Sequence, residues 1–206
     1  MSNNKFHIKS YSQLKNQTVL VNGEVIYNDA SEDFSTFIKS AYKFLETDYS
    51  KFFKMDNLSK LAFLAADILL KQENLSENDN NIALVFSNKA SSLDTDRKHQ
   101  AAIENSDEYF PSPAVFVYTL PNICLGEISI KHSLYSENSF FIFDHFNPEH
   151  LQLYANYLLR NKKAEKVLCG WVDFDKNNYE AFLYLVEKNG EIEHNTEEIT
   201  RLYKTL

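Results

Sequence analysis

The sequence predicts a three-layer α/β/α domain with a mixed sheet, and three observations support this fold class. The chain has 206 residues, of which 44% are hydrophobic, and this is enough to build a sizeable buried core. Uninterrupted apolar runs such as Ile82–Asn88 are typical of strands that are buried on both faces. Segments with apolar residues at helical spacing lie between these runs. Because only four glycines and four prolines occur, we expect regular elements, short loops and one domain over residues 1–206.

The first two strands are predicted at Phe6–Leu14 and Thr18–Tyr27. The second of them contains Asn22-Gly23, and Asn-Gly is the strongest two-residue signal for a hairpin. The alternative is therefore a hairpin that pairs Thr18–Val21 with Glu24–Tyr27.

Three helices are predicted in the middle of the chain. Ser31 or Asp33 caps the first, Asp56 or Asn57 caps the second, and the third covers Asp96–Glu104. The first two have apolar residues at helical spacing, namely Phe34, Phe37, Ile38, Tyr42 and Leu45, and then Leu58, Leu61, Ala62, Ala65 and Leu69. The buried strand at 82–88 separates the second helix from the third.

The remaining chain alternates helices and strands. The predicted helices are Pro121–Leu134, Pro148–Lys162 with Asn147 as its cap, and a terminal helix from Asn195 or Thr196 to Tyr203. The predicted strands are Ser139–Phe143, an apolar strand from Lys166 that ends at Gly170, and Tyr179–Glu187.

Composition narrows the classes of function. The net charge of −8 argues against nucleic acid as a partner, because phosphate binding needs clustered Lys and Arg. The first residues lack the apolar centre of a secretory signal, and no apolar run approaches the roughly 18 residues of a membrane span. We therefore expect a cytoplasmic protein. Cys124 and Cys169 lie in apolar stretches, which predicts buried free thiols rather than a disulfide.

The order of elements between Ser112 and Asp175 carries a resemblance to a known family. A segment that opens at Pro113 leads to a Leu120-Pro121-Asn122 helix start. A short apolar strand, a capped helix and a second apolar strand follow. This order is similar to the nucleophile region of the β-ketoacyl-ACP synthases, which belong to the thiolase-like superfamily. Met55-Asp56, before an alanine-rich helix, also resembles a turn of that family.

The resemblance is clearest over residues 50–175 and implies the N-terminal half of a ketosynthase. In the family, the strand delivers a nucleophilic cysteine to the start of a helix, and the position that aligns with it holds His145. The family's second half supplies two catalytic histidines and a lysine, and no segment after Asp175 corresponds to it. The resemblance therefore implies a catalytically degenerate accessory subunit, comparable to a chain length factor, that needs no cofactor.

The same resemblance implies partners. These are a full-length ketosynthase and an acyl carrier protein (ACP), in the ACP-dependent synthesis of a fatty-acyl, polyene or polyketide product. A homo- or heterodimer is also implied, because the family pairs one strand with its copy across a dimer axis. That strand consists of Ser139, Phe140, Phe141, Ile142 and Phe143.

A basic cluster consists of Arg160, Lys162, Lys163 and Lys166. It either contacts the acidic carrier protein or complements a helix C-terminus in solvent. Leu153 and Tyr157 lie off the main apolar face of their helix and pack either against a partner or under a loop.

Two other functions stay open at the level of sequence. His145 with Asp144 could process acyl groups, whereas a purely structural His145 would bond to Asp144 or to a backbone carbonyl. A metal site at Asp144, His145 and His150 is not expected, because the two histidines lack the i, i+4 spacing of a helical zinc site. The chain could also be a stand-alone acyl-ligand-binding domain with a pocket beside the helix that begins at Pro148.

Overall fold

The computed structural model describes residues 5–30, 33–77, 80–104 and 110–205. Within these ranges, the strands are β1 (His7–Lys15), β2 (Thr18–Val21), β3 (Glu24–Asn28), β4 (Ile82–Asn88), β5 (Asn138–Ile142), β6 (Lys166–Asp175), β7 (Asn178–Glu187) and β8 (Ile192–Glu193). The helices are α1 (Phe34–Phe44), α2 (Asn57–Leu70), α3 (Leu93–Ile103), α4 (Pro113–Val117), α5 (Ile123–His132), α6 (Pro148–Arg160) and α7 (Thr196–Tyr203), with a 3₁₀ turn at Ser50–Lys54. None of the helices in these ranges is long and apolar enough to cross a membrane.

The described strands form one mixed sheet in the order β3-β2-β1-β7-β6-β4-β5, and β8 pairs with β1. β4 lies between β5 and β6 and is parallel to both, while the other main pairs are antiparallel. The hairpin alternative is confirmed, because β2 and β3 are joined through Asn22 (φ 51°) and Gly23 (φ 90°). A single strand over Thr18–Tyr27 is therefore wrong, since two residues with positive φ turn the chain there.

Helices cover both faces of the sheet, so the predicted three-layer fold class is confirmed. β4 shows how alternate side chains serve the two cores: Leu84 and Phe86 face one layer, and Ala83 and Val85 face the other. The first core lies under α1, α2 and α5, and the second lies under α6 and α7. α2 is buried on almost every side and forms the centre of the first layer.

Four helices begin at the caps that the sequence predicts. Asp33 accepts from the backbone N–H of Thr36 at 3.0 Å, and Asp56 accepts from that of Ser59 at 2.9 Å. Asn147 and Asn195 act in the same way at the starts of α6 and α7, at 3.0 and 2.9 Å. Ser31 lies outside the described residues. α3 begins at Leu93, three residues before the predicted start.

One strand end is predicted wrongly. β6 does not stop at Gly170 but continues to Asp175, because Trp171 and Phe174 remain paired with β7. Gly170 therefore lies inside the strand, with φ 153°. A Cβ atom there would lie 2.0 Å from the carbonyl oxygen of Phe182, so the close approach of β7 requires glycine.

Candidate functional site

The loop 143–147 joins β5 to α6 and holds the position that the sequence aligns with a ketosynthase nucleophile. It leaves the sheet at the carboxyl ends of the parallel strands β4 and β5, and Phe143 N–H still donates to the carbonyl of Asn88 at 2.9 Å. Asn147 then caps α6, with Pro148 in its first turn. In α/β folds, the carboxyl ends of parallel strands and helix N-termini are the places where ligands bind.

Phe146 fixes this loop to the second core. Its ring lies 4.2 Å from that of Tyr203, 5.8 Å from Phe182 and 6.2 Å from Trp171, measured between centroids. Because the buried Phe146 takes the inward direction, Asp144 and His145 are exposed.

His145 has no hydrogen bond or ion pair with any residue of the described ranges, and neither has Asp144. Within the described ranges, His145 therefore does not make the bond to Asp144 or to a backbone carbonyl that a structural histidine would make. An imidazole that acts as a nucleophile or base needs a group that orients it and sets its protonation state. Among the described residues, nothing performs this task for His145.

His150 is turned away from the loop. Its ring packs edge-on against Phe141 at 4.5 Å and against Phe143 at 5.0 Å, which directs it toward β5. The described ranges contain no group of three His, Cys, Asp or Glu side chains that could hold a metal ion.

A neighbouring loop at the same end of the sheet is positioned by a residue that sequence reasoning missed. Asp173 of β6 accepts from the backbone N–H groups of Lys89 and Ala90, at 3.0 and 2.8 Å, and so holds the connection from β4 to α3. No local signal identifies Asp173, because its partners lie more than 80 positions earlier in the chain.

A second missed feature is a buried carboxylate in the opposite layer. Asp67 Oδ2 accepts from Thr47 Oγ1 at 2.8 Å and lies 2.9 Å from Lys71 Nζ, and its Oδ1 lies 3.1 Å from His132 Nε2. Burial opposes ionisation, but these contacts hold the pKa of Asp67 below its usual range. Because both Asp67 and His132 are buried, this contact links α2 to α5 inside the first layer.

β5 is an edge strand, because β4 is its only partner in the described part of the sheet. Phe140 packs against the first core, while Phe141 and Phe143 pack against the second. The Ser139 hydroxyl is hydrogen-bonded to Tyr154 of α6, and the side chain of Ile142 is 50% exposed. The predicted dimer strand thus has a free backbone edge within the described structure.

The outer side of α6 adds to this exposed surface. Leu153 is 61% exposed and Tyr157 is 50% exposed. The alternative that they pack under a loop is wrong, because no described segment covers them.

The predicted basic cluster divides into two parts. Arg160, Lys162 and Lys163 are exposed at the end of α6. Lys166 is instead ion-paired with Glu73 and, at 2.9 Å, with Glu187. This cluster lies at the amino ends of β4 and β6, at the opposite end of the sheet from His145.

Both cysteines are free and buried, as predicted. Burial raises the pKa of the Cys124 and Cys169 thiols well above the ordinary value, so the thiolate form is disfavoured at neutral pH. Neither thiol is in an environment that would activate it as a nucleophile.

No protein-family model and no curated protein sequence matches the chain. Solved structures do match. The chain is similar to the ishigamide ketosynthase/chain length factor, with a TM-score of 0.64 and 17% identity, over 89% of this chain and 62% of that one. It is also similar to a chain in the complex of a ketosynthase with its chain length factor from Xenorhabdus doucetiae. The TM-score is 0.60 at 13% identity, over 97% of this chain and 90% of that chain.

A third match is to a chain in the structure of a type II polyketide synthase acyl-carrier protein in complex with its ketosynthase bound to the hexaketide. Its TM-score is 0.62 at 14% identity, over 89% of this chain and 62% of that chain. The chain thus has the thiolase-like fold of ketosynthases and chain length factors. It spans less than two thirds of the first and third of these structures.

Proposed function

We propose that this protein is a catalytically degenerate accessory subunit of a ketosynthase, comparable to a chain length factor. It consists of one domain, acts in the cytoplasm, and serves the ACP-dependent synthesis of a fatty-acyl, polyene or polyketide product. The observation that carries the proposal is the exposed His145 at the start of α6, which has no orienting partner among the described residues. A ketosynthase needs an activated thiolate at this position.

The comparisons support the choice of partner. Two of the matched structures contain a chain length factor, and one of these is a complex of such a factor with its ketosynthase. The match to that complex covers 97% of this chain and 90% of the matched chain, so the two chains are similar in length. A subunit of this size would act beside a full-length ketosynthase and its acyl carrier protein, and the free edge of β5 is the surface that we propose for the dimer.

The activity test uses the purified protein with malonyl-ACP and a short acyl-ACP, and mass spectrometry of the carrier protein as the readout. We expect no 3-oxoacyl-ACP above a heat-treated control, while an active ketosynthase in the same buffer gives product. Product formed by this chain alone would overturn the proposal.

The association test is co-expression with a full-length ketosynthase and the acyl carrier protein from the same gene neighbourhood. We expect co-purification of the ketosynthase, and a change in the yield or length of the product when this subunit is omitted. An unchanged product together with no complex would refute the accessory role.

A further inference from the structure

A pocket of ≈ 230 Å³ lies on the other layer of the molecule, where the start of α2 meets α3 and α4. Three lysines line it, namely Lys54, Lys60 and Lys98. Its remaining wall includes apolar side chains from two segments, among them Met55, Ala114 and Val115. The pocket therefore combines clustered positive charge with an apolar surface.

The positive charge in this pocket is only partly balanced by the described residues. Lys60 is half-buried and Lys54 is exposed, and neither side-chain ammonium group has an ion pair or hydrogen bond within the described ranges. Lys98 lies 2.6 Å from Asp94, one helical turn away. Asp56 is the one carboxylate among the lining residues that the structure describes, and it accepts from two neutral donors, Ser59 N–H at 2.9 Å and the Thr95 hydroxyl at 2.7 Å. Three lysines therefore share one carboxylate within the pocket wall.

The environment of Lys60 is unfavourable for a cation without an anionic partner. Burial lowers the pKa of its ammonium group, and the charge of Lys39 lowers it further; Asp56 opposes this shift, and Lys98 adds a smaller lowering effect. Holding the half-buried Lys60 near other cations costs free energy, which a bound anion would recover. The start of α2 adds the partial positive charge of a helix N-terminus. On a chain with a net charge of −8, this local excess of cations stands out.

We propose that this pocket binds a phosphate monoester, with the phosphate among Lys54, Lys60 and Lys98 and its organic group against Ala114 and Val115. Lysine is a common phosphate binder because it offers a compact charge with three donors. A water occupies about 30 Å³, so the pocket has room for a phosphate and a small organic group. This site lies on the opposite side of the sheet from His145, and it does not depend on the proposed function.

The test compares phenyl phosphate, inorganic phosphate and sodium chloride at equal ionic strength. Thermal unfolding should show that phenyl phosphate raises Tm with increasing concentration and does so more than inorganic phosphate, because only the ester also uses the apolar wall. In Lys60→Met we expect calorimetry to give at least about a tenfold weaker Kd for phenyl phosphate. In chloride, this variant should be no less stable than the wild type, since it loses an unpaired, half-buried cation. Lys188→Met removes an exposed lysine at the end of β7 and should leave the response unchanged.

An equal response of the wild type and Lys60→Met would overturn the site. An equal effect of inorganic and phenyl phosphate would overturn the ester in favour of free phosphate. A response to a polyglutamate peptide without a response to either phosphate would overturn it in favour of an acidic protein surface.

Discussion

Gly170 lies in the middle of β6, where the backbone of β7 leaves no room for a side chain. A Cβ at this position would lie 2.0 Å from the Phe182 carbonyl oxygen, and the residue has φ 153°. We expect Gly170→Ala to lower the free energy of unfolding by about 3 kcal/mol or more, because the paired backbones must move apart. Gly126→Ala on α5 is the matched control, since nothing lies within 4 Å of its Cβ. That change should raise the free energy of unfolding by about 0.5–1 kcal/mol. Urea unfolding of both variants measures the two changes, and a stable Gly170→Ala would contradict the prediction.

His145 provides a second test at the scale of one residue. The variant His145→Cys places a thiol at an exposed position near the N-terminus of α6, where the helix dipole favours a thiolate. We expect rapid alkylation by iodoacetamide at this one cysteine, while the buried Cys124 and Cys169 of the wild type remain unmodified. Mass spectrometry of both proteins after a short exposure measures this.

The same variant should not condense malonyl-ACP with acyl-ACP. Decarboxylation builds negative charge on an enolate, and removing a single donor that stabilises such charge typically costs on the order of 10²–10³ in rate. In the ketosynthases that the chain resembles, two histidines of the second half stabilise this charge, whereas here the ring of His150, the next histidine in the chain, packs against Phe141 and Phe143. Condensation by His145→Cys above a heat-treated control would show that catalytic groups are present and would contradict the half-enzyme interpretation.

The elements themselves were largely predictable, because their signals are local. The caps Asp33, Asp56, Asn147 and Asn195 each precede their helix in the sequence and act through a backbone N–H three positions on. The continuation of β6 was not predictable, because it depends on pairing with β7. In the same way, the signal for a hairpin at Asn22-Gly23 was visible, but only the structure decides between the hairpin and one long strand.

β5 is the element through which we expect the molecule to associate. Its edge is unpaired within the described sheet, and Ile142 is 50% exposed there. Because a lysine on an edge strand opposes pairing with another chain, Ile142→Lys should convert a dimer into a monomer. Val25→Lys is the control at the opposite edge of the sheet, on β3, where Val25 is 59% exposed, and it should leave the assembly unchanged. Light scattering measures the mass, and a wild-type monomer or an Ile142→Lys dimer would contradict this role of β5.

For the whole molecule, the fold class followed from composition and periodicity, and the resemblance pointed to the thiolase-like fold. The long-range contacts did not follow. Asp67 lies in a helix that reads as apolar and alanine-rich, and its burial depends on His132, which is 65 positions later. The lysine pocket likewise combines Lys60 with side chains of α3 and α4 that no spacing in the sequence connects. The sequence around a single charged residue therefore does not show whether that residue forms an ion pair in the folded protein.

The pH dependence of stability tests how the second core is closed. His194 is buried, its Nδ1 lies 3.1 Å from Asn156 Oδ1 on α6, and burial lowers its pKa from 6.5 to about 3. Below about pH 6.5 the unfolded chain takes up a proton at this residue, whereas the folded protein does so only near pH 3. The contribution of His194 is therefore complete above pH 6.5 and is lost as the pH falls, at up to about 1.4 kcal/mol per pH unit.

Carboxylates with lowered pKa values, such as Asp67 and Glu73, also contribute stability that is lost as the pH falls. The pH dependence of the wild type alone therefore does not separate the contribution of His194 from theirs. We therefore expect a difference between the wild type and His194→Gln, which keeps a donor for Asn156 but does not titrate. Between pH 7.5 and 5.5, the free energy of unfolding of the wild type should fall by about 1.4 kcal/mol more than that of the variant. Urea unfolding at both pH values measures the four free energies. Equal slopes for the two proteins would mean that His194 is protonated in the folded state, and that the junction of α6 with the segment before α7 admits water.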